Sequence, residues 1–252
     1  MDGMTTLKCV GVGKSFDGVH ALTDLNLDFP PSGVVAIIGP NGAGKTTLFN
    51  VMTGFVHPEF GQVFLGEREL THLPPHAIAR LGIARTFQEL RLISQSPALE
   101  NVLLARPNQK GERLVPALLR FGVAAEEAQN RCEALRWLRF VRLQDAADCL
   151  AGELSYGQQK LLNLACCLAT DAPILLLDEP VTGIHPEMVL HISDLLCQLR
   201  GLGKQIVLIE HNIAFVRQVA DHVIVMDGGE IISEGRPSDV LERPEIFEAY
   251  VR

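Results

Sequence analysis

Long apolar runs are missing from this sequence, and its apolar stretches are short, for example residues 174–177 and 206–209. A helix that crosses a bilayer needs about 18 or more consecutive apolar residues, so we expect that the chain does not span a membrane by itself. The N-terminus also lacks a basic region followed by an apolar stretch, which is the pattern of a secretory signal. A cytosolic protein is therefore expected.

Zinc motifs and an overall basic charge are missing as well. None of the six cysteines forms a Cys-x-x-Cys pair, which favours reduced thiols in the core. No two of the eight histidines form an i, i+4 pair with an acidic partner, so a zinc site is not supported. Any metal chemistry must then use oxygen ligands. Lys and Arg number 22 against 30 Asp and Glu, a net charge of −8, so the overall charge gives no case for nucleic-acid binding.

The 252 residues have ordinary globular composition, with 47% apolar and 21% charged residues, which argues against disorder and coiled coil. The first 30 residues read as short strands interrupted at Asp17-Gly18. Several continuous apolar runs are typical of strands buried on both faces. The run 223–226 leads into a hairpin turn at Asp227-Gly228-Gly229-Glu230. Because helical patterns separate these strands, we expect an α/β fold with a mixed sheet. The runs are 34–38, 174–177, 206–209 and 223–226.

The stretch from about Gln88 to Glu153 differs from the rest, because it has few β-branched runs and shows helical periodicity around Ala124 to Leu143. Eight basic and four acidic residues lie between Arg106 and Arg142, while the rest of the chain is acidic. Two interpretations stay open. The segment is either a solvated helical face or a helical subdomain that faces a membrane or a membrane-bound partner.

The strongest motif follows the strand at 34–38 and matches G-x-x-x-x-G-K-[ST] in full. Its place between a predicted strand and a predicted helix is typical of a phosphate-binding loop, in which glycines let backbone N–H groups surround a phosphate. We expect Lys45 to reach the β- and γ-phosphates and Thr46 to bind Mg²⁺ through its hydroxyl. The nucleotide-binding residues predicted here are Gly39, Pro40, Asn41, Gly42, Ala43, Gly44, Lys45, Thr46 and Thr47.

Besides the phosphate loop, the residues themselves indicate two further features of the site, a pair of acids and the start of a helix. Asp178 and Glu179 follow the strand 174–177, where open α/β sheets bind ligands, so Asp178 is expected to hold Mg²⁺ and Glu179 to activate water. Ser155 is a good N-cap of a helix whose first turn has no acid, which suits a second anion site. The pattern by itself also fits an ordinary capped helix.

Taken together, these motifs resemble the ATP-binding cassette ATPases over nearly the whole chain: the phosphate loop, Leu-Ser-Tyr-Gly-Gln-Gln from Leu154, the strand ending Asp-Glu-Pro, and Glu210-His211. The resemblance implies a P-loop NTPase core with a mixed sheet, a small antiparallel β subdomain and an inserted helical subdomain. The whole chain, 1–252, would be one domain. Residues 1–87 and 159–252 would form the nucleotide-binding core, and 88–158 the helical subdomain that carries the signature.

The resemblance also assigns roles that the residues alone do not. It implies that Phe16 stacks on adenine, that Gln88 binds Mg²⁺ and links the site to the helical subdomain, and that His211 contacts the γ-phosphate. Without it, Phe16 and Gln88 would read as a core aromatic and a surface glutamine. Glu179, His211 and Lys45 are then the catalytic residues, while Ser155, Gly157 and Gln158 contact nucleotide from the other chain of a dimer.

Finer features are similar to the branched-chain amino acid importers and their amide and urea relatives. These are the run Gly82-Ile-Ala-Arg-Thr-Phe-Gln88, the tyrosine in the signature and the closing segment from Pro244 to Tyr250. One position departs from that group, which usually has Asp or Asn where this chain has His185. Because that residue normally acts across the dimer, the departure puts coupling between the two sites in doubt, though not nucleotide binding.

The sequence thus predicts an ATPase subunit that uses MgATP to power import of a small polar solute. Its expected partners are membrane permeases, docked through the helical subdomain, a second identical or related ATPase subunit, and a solute-binding protein, with no nucleic acid. Its expected place is the cytoplasmic face of a bacterial membrane. The alternatives are a soluble cassette ATPase of translation or DNA repair, which normally needs tandem cassettes or a long coiled coil, and a silent scaffold, which would lack Lys45 or Glu179.

Overall fold

The computed structural model describes residues 6–107 and 123–243, in which two sheets organise the chain. A four-stranded antiparallel sheet has the order β2-β1-β4-β5, and a six-stranded sheet has the order β10-β9-β3-β8-β7-β6. In the larger sheet only the β9–β10 pair is antiparallel, which makes it the predicted mixed sheet. The strands are β1 Leu7–Phe16, β2 Val19–Asp28, β3 Gly33–Ile38, β4 Phe60–Leu65, β5 Arg68–Glu69, β6 Ile83–Arg85, β7 Ile174–Asp178, β8 Gln205–Ile209, β9 His222–Asp227 and β10 Glu230–Gly235.

The central strands are buried on both faces, as their apolar runs predict. Along β3, Val34 and Ala36 belong to one hydrophobic cluster, whereas Val35 and Ile37 belong to the other. The first cluster lies between the large sheet and the helices on that side of it. Of these helices, Ala98–Leu104, Val123–Phe140 and the start of Tyr156–Ala169 are called the helical layer below. The second lies between the large sheet, the antiparallel sheet and the helix after the phosphate loop. Successive side chains of a strand point to opposite faces, so one short run supplies two cores.

Eight α-helices lie in the described part of the chain. They are α1 Lys45–Met52, α2 Pro75–Arg80, α3 Ala98–Leu104, α4 Val123–Phe140, α5 Tyr156–Ala169, α6 Pro186–Gly201, α7 Ile213–Val219 and α8 Pro237–Val240, with 3-10 turns at Gln144–Ala146 and Ala151–Glu153. None of these helices has the length and apolar character that crossing a membrane requires.

The turns form where glycine and aspartate allow positive φ. At the β1–β2 hairpin Asp17 has φ 49° and Gly18 has φ 84°, so the predicted interruption is a tight turn between two ten-residue paired strands, longer than the short strands expected. Gly228 and Gly229 form the predicted turn between β9 and β10 with φ of 53° and 84°.

The predicted helical segment contains α3, α4 and the two 3-10 turns. Helix α5 crosses the predicted boundary between residues 158 and 159, and it packs on α3 and α4. One continuous helix therefore joins the helical layer to the core, and the subdomain boundary stays a prediction. The basic residues Lys110, Arg113 and Arg120, Glu112 and the closing segment from Pro244 lie outside the described residues.

Candidate nucleotide site

The phosphate loop joins the end of β3 to the start of α1, and close backbone contacts require glycine at Gly39 and Gly44. A Cβ atom on Gly39, whose φ is 152°, would lie 2.0 Å from the carbonyl oxygen of Met226. One on Gly44, whose φ is 95°, would lie 2.3 Å from the carbonyl oxygen of Ala21. Only glycine fits at these positions. The loop backbone therefore curls against the core and leaves its outer side open.

The start of α1 is suited to bind an anion. Gly44 is the N-cap and contributes no side-chain hydrogen bond, and the first turn contains no acid. The N–H groups of a helix's first turn have no partner within the helix, and the helix dipole favours negative charge there. Asn41, Gly42 and Thr46 are exposed, Pro40, Gly44 and Thr47 are partly exposed, and Ala43 is buried.

Lys45 is the cation of this loop. Its side chain is 6% exposed, and its Nζ donates to the carbonyl oxygens of Gly39, at 2.7 Å, and Pro40, at 2.8 Å. Burial lowers the pKa of Lys45, while the charges of Glu179 and Asp178 oppose that shift. The structure thus brings the predicted lysine and both predicted carboxylates into one electrostatic environment.

Asp178, the last residue of β7, is buried against an arginine. Nη2 of Arg85 lies 3.1 Å from Oδ2 of Asp178, and the two side chains are only 5% and 3% exposed. The backbone N–H of Asp178 donates to Oγ1 of Thr86 at 3.1 Å. Burial raises the pKa of Asp178, and the hydrogen bond from Arg85 opposes this rise. One carboxylate oxygen is therefore held by Arg85 at the end of the strand.

Arg85 has further partners on α1. Its Nη1 donates to Oδ1 of Asn50 at 2.7 Å and to Oγ1 of Thr53 at 3.1 Å. Sequence reasoning gave Arg85 no role beyond its place in the run 82–88. No local signal could show that it meets Asp178, because the two positions are 93 residues apart.

Glu179 and His211 meet at the ends of neighbouring parallel strands, β7 and β8. Nε2 of His211 lies 3.1 Å from Oε1 of Glu179. The backbone of Glu179 has φ 49°, which is rare for a residue with a side chain. Its N–H donates to the carbonyl oxygen of Ile209 at 3.0 Å, which continues the β7–β8 pairing one residue beyond the strand. The left-handed backbone thus ends the strand at the predicted base.

Glu210 is completely buried and organises the loops around this pair. Its Oε1 accepts from the N–H of Val181 at 2.8 Å, and its Oε2 accepts from those of His211 at 3.1 Å and Asn212 at 3.4 Å. Burial raises its pKa, and these backbone hydrogen bonds oppose the rise. The sequence singled out Glu210 only as part of a family motif, so this role was missed.

The signature residues form the start of α5. Ser155 is the predicted N-cap: its Oγ accepts from the N–H of Gln158 at 3.3 Å, and Oε1 of Gln158 accepts from the N–H of Ser155 at 3.0 Å. A Cβ atom on Gly157 would lie 3.3 Å from Cε of Met188. Within the described residues, no hydrogen bond joins Ser155 or Gln158 to Lys45, Thr46 or Asp178.

The remaining predicted residues lie at the edges of the site. Phe16, at the end of β1, is 45% exposed, and Nζ of Lys14 lies 5.3 Å from its ring centroid. Gln88 is exposed beyond β6. His185 is the N-cap of α6, and its Nδ1 accepts from the N–H of Glu187 at 3.4 Å. Adenine stacking, Mg²⁺ binding and contact across a dimer stay predictions for these three residues.

The donor atoms fit Mg²⁺. In the described ranges, no three His, Cys, Asp or Glu side chains gather into a metal-binding group. Mg²⁺ is usually bound through one or two carboxylates together with substrate phosphates and waters, so a protein needs few ligands of its own. The hydroxyl of Thr46, the amide oxygen of Gln88 and the carboxylate of Asp178 are oxygen donors of this kind.

Comparisons with known proteins agree with this geometry. The family model described as ABC transporter matches residues 22–182. The high-affinity branched-chain amino acid transport ATP-binding protein BraF of Pseudomonas aeruginosa is 36% identical over 247 residues, which cover 97% of each chain. The crystal structure of an ATP-binding cassette of an ABC transporter in its ADP conformation is similar with a TM-score of 0.84 and 32% identity, over 99% of each chain.

A dimeric cassette in a post-hydrolysis state, bound to ADP and Pi, is similar with a TM-score of 0.78 and 28% identity, over 92% of this chain and 98% of that one. The family model, the relative and the solved structures agree with one another. The chain belongs to the ABC transporter family and is one of its ATP-binding cassette ATPases.

Proposed function

We propose that this chain is the ATP-hydrolysing subunit of an importer for branched-chain amino acids or related amide or urea solutes. BraF, which matches the chain over nearly its whole length, is named as a branched-chain amino acid transport protein, and this supports the proposed substrate class. The observation that carries the ATPase itself is the pairing of Glu179 with His211 beside Lys45. One edge of the sheet thus carries the proposed base Glu179, the polar group His211 that orients it, and the phosphate-binding cation Lys45.

In this proposal the residues have separate tasks. The loop 39–47 and Lys45 bind the β- and γ-phosphates, Phe16 stacks on the base, and Glu179 accepts the proton of the attacking water. His211 orients the Glu179 carboxylate and stays within reach of the γ-phosphate. Thr46, Gln88 and Asp178 would hold Mg²⁺, which when bound neutralises phosphate charge.

The site is proposed to be complete only in a dimer. Ser155, Gly157 and Gln158 of a second chain, identical or related, would cover the nucleotide held by the first. The helix start at Ser155 supports this, because its first turn has no acid and Ser155 and Tyr156 are exposed. The similar dimeric cassette is consistent with this arrangement.

The permease is proposed to dock along the helical layer, at the cytoplasmic face of a bacterial membrane, with a solute-binding protein in the same system. A cavity of about 360 Å³ lies where this layer meets the core, and Phe55, Phe87, Arg91 and Cys166 are among its lining. The guanidinium carbon of Arg91 lies 3.5 Å from the centroid of the Phe87 ring. An apolar helix that carries an acidic side chain would fit this lining.

Uptake by the parent organism tests the proposal. Deleting the gene is expected to abolish uptake of radiolabelled leucine, isoleucine and valine, or of an amide or urea. The wild-type gene should restore it, and a Glu179→Gln gene should not. Unchanged uptake of all these solutes in the deletion strain would show that the chain powers another process.

A further inference from the structure

Lys160, in the second turn of the signature helix α5, is a buried lysine that the proposed reaction does not use. Its side chain is 6% exposed, which is rare for lysine. Its Nζ donates to the backbone carbonyl oxygen of Glu179 at 2.8 Å and lies 5.6 Å from the ring centroid of Tyr156. The ammonium group thus spans the gap between the signature helix and the backbone of the proposed base.

The backbone that Lys160 holds is in a rare conformation. Glu179 has φ 49°, and this left-handed region is unfavourable for a residue with a side chain. Such conformations persist where surrounding contacts hold them. The carbonyl oxygen of Glu179 accepts from Nζ of Lys160 and from the N–H of Thr182, the latter at 3.4 Å. A hydrogen bond from a charged donor is stronger than one between neutral groups. The hydrogen bond from Lys160 is therefore the stronger of the two that this carbonyl oxygen accepts.

The charged groups that face Lys160 from the core are carboxylates. Burial lowers its pKa, and Glu210, Glu179 and Asp178 oppose that shift in this order. Lys160 also acts to lower the pKa of Asp178. The ammonium group is therefore attracted to the carboxylates of the site while it is covalently part of α5.

We propose that Lys160 is a positioning residue that couples the signature helix to Glu179 of the same chain. The inference rests on the shared dimer site proposed above. There, Ser155 of one chain faces the nucleotide held by the other chain, while Glu179 of the first chain serves its own nucleotide. When the start of α5 engages a phosphate, the helix carries Nζ of Lys160 with it, and the Glu179 carbonyl follows. Each chain thereby links the two sites of the dimer.

Kinetics of matched lysine variants form the first test. Lys160→Met keeps the length of the side chain and removes the donor, and Lys160→Arg keeps a cation. Lys204→Met is the control, because Nζ of Lys204 also donates to a backbone carbonyl oxygen, that of Ala172 at 2.7 Å, away from the site. A misplaced catalytic group costs up to about a hundredfold in rate, so we expect kcat of Lys160→Met to fall at least about tenfold with KM for ATP unchanged.

Lys160→Arg is expected to recover most of that loss, and Lys204→Met to keep the wild-type kcat. An unchanged kcat in Lys160→Met, or an equal loss in Lys204→Met, would overturn the proposal. So would a rise in KM without a fall in kcat, because Lys160 would then serve binding alone.

Hydrogen exchange gives a readout that does not depend on turnover. In a Glu179→Gln chain, MgATP is expected to protect the amides at the start of α5 and also those of Val181 and Thr182. Adding Lys160→Met should keep the first protection and remove the second. If the double variant keeps both protections or loses both, the coupling is wrong. If Glu179→Gln alone gains no protection at the start of α5, the shared site itself fails, and the inference fails with it.

Discussion

Nε2 of His211 lies 3.1 Å from Oε1 of Glu179, and the two residues follow adjacent parallel strands. The carboxyl ends of β7 and β8 place them side by side, although 32 positions separate them in sequence. An imidazole that donates through Nε2 fixes one carboxylate oxygen and leaves the other free to take a proton. This pairing is what distinguishes Glu179 from the other acids near the loop: Asp178 is held by Arg85, and Glu210 by three backbone N–H groups.

Glu179→Gln is expected to keep ATP affinity while hydrolysis collapses, because the amide has the shape of the carboxylate but cannot accept the proton. Binding is measured by equilibrium titration and turnover by phosphate release. The matched control is Glu187→Gln, an exposed acid at the start of α6, which should leave both unchanged. Near-wild-type turnover of Glu179→Gln with Mg²⁺ would show that another group is the base.

Lys45→Ala is expected to lose ATP binding rather than only turnover. Its ammonium group is the cation of the phosphate loop, and the loop carbonyls of Gly39 and Pro40 already orient it. Removing it leaves the β- and γ-phosphates without their main charge partner. Lys8→Ala, which removes an exposed lysine paired with Asp28 on the antiparallel sheet, is the control and should bind ATP normally. ATP affinity of Lys45→Ala equal to that of wild type would contradict the assignment.

Local pattern was enough to predict the loop and the buried strands β3, β7, β8 and β9, because their signals lie within about ten residues. It underestimated the length of β1 and β2 and did not predict β4, β5 or β6. The apolar run of β3, the glycines after it and the N-cap at Ser155 are each read from neighbouring positions. The contacts of Arg85 and Lys160 could not be predicted this way. They join positions 93 and 19 residues apart through the packing of strand ends and helices, and the positive φ of Glu179 depends on the same packing.

Arg85→Met is expected to destabilise the folded chain strongly, because it leaves Asp178 as a buried charge without its partner. Removing one member of a buried ion pair costs about 3–5 kcal/mol. The free energy of unfolding is measured by urea denaturation. Arg200→Met is the control: its pair with Asp221 has the similar N–O distance of 2.9 Å but is 41% and 47% exposed, so its loss should cost no more than about 1 kcal/mol. Equal effects of the two substitutions would contradict the argument.

Reversing charge on the helical layer is expected to weaken assembly with the permease. Arg136 and Arg139 on α4 are exposed, and Arg136 pairs with Glu133 at 3.3 Å. Changing both arginines to Glu should reduce co-purification with the permease and leave ATP binding of the isolated chain intact. Lys8→Glu on the antiparallel sheet is the control. Equal co-purification of the double variant and wild type would remove these arginines from the docking surface.

The shared site predicts that ATP hydrolysis needs association of chains. Specific activity should rise with protein concentration and level off once dimers dominate, measured across about a hundredfold dilution with light scattering to report mass. Each closure brings two acidic chains together, so association of the isolated subunit is expected to be weak. A flat line with confirmed monomers would show that each chain completes its own site. His185, which departs from the Asp or Asn that the resemblance implies, makes a second result informative. Activity that appears only with a related subunit would indicate a heterodimer and keep the shared site.

Two substitutions at Gly157 distinguish the effect of an added charge from the effect of an added side chain in the proposed dimer. Gly157→Asp is expected to abolish hydrolysis while ATP binding persists, because a carboxylate at the start of α5 repels the γ-phosphate of the opposite nucleotide. Gly157→Ala is the steric control. Its Cβ would lie 3.3 Å from the flexible end of Met188, and Cγ of Met188 at 3.5 Å and Cγ2 of Ile184 at 3.9 Å are ordinary contacts, so it should retain most of the activity. Equal loss in both variants would assign the effect to packing against Met188. Full activity of Gly157→Asp would place the signature away from the nucleotide, since a charge in contact with the phosphate could not be neutral to hydrolysis.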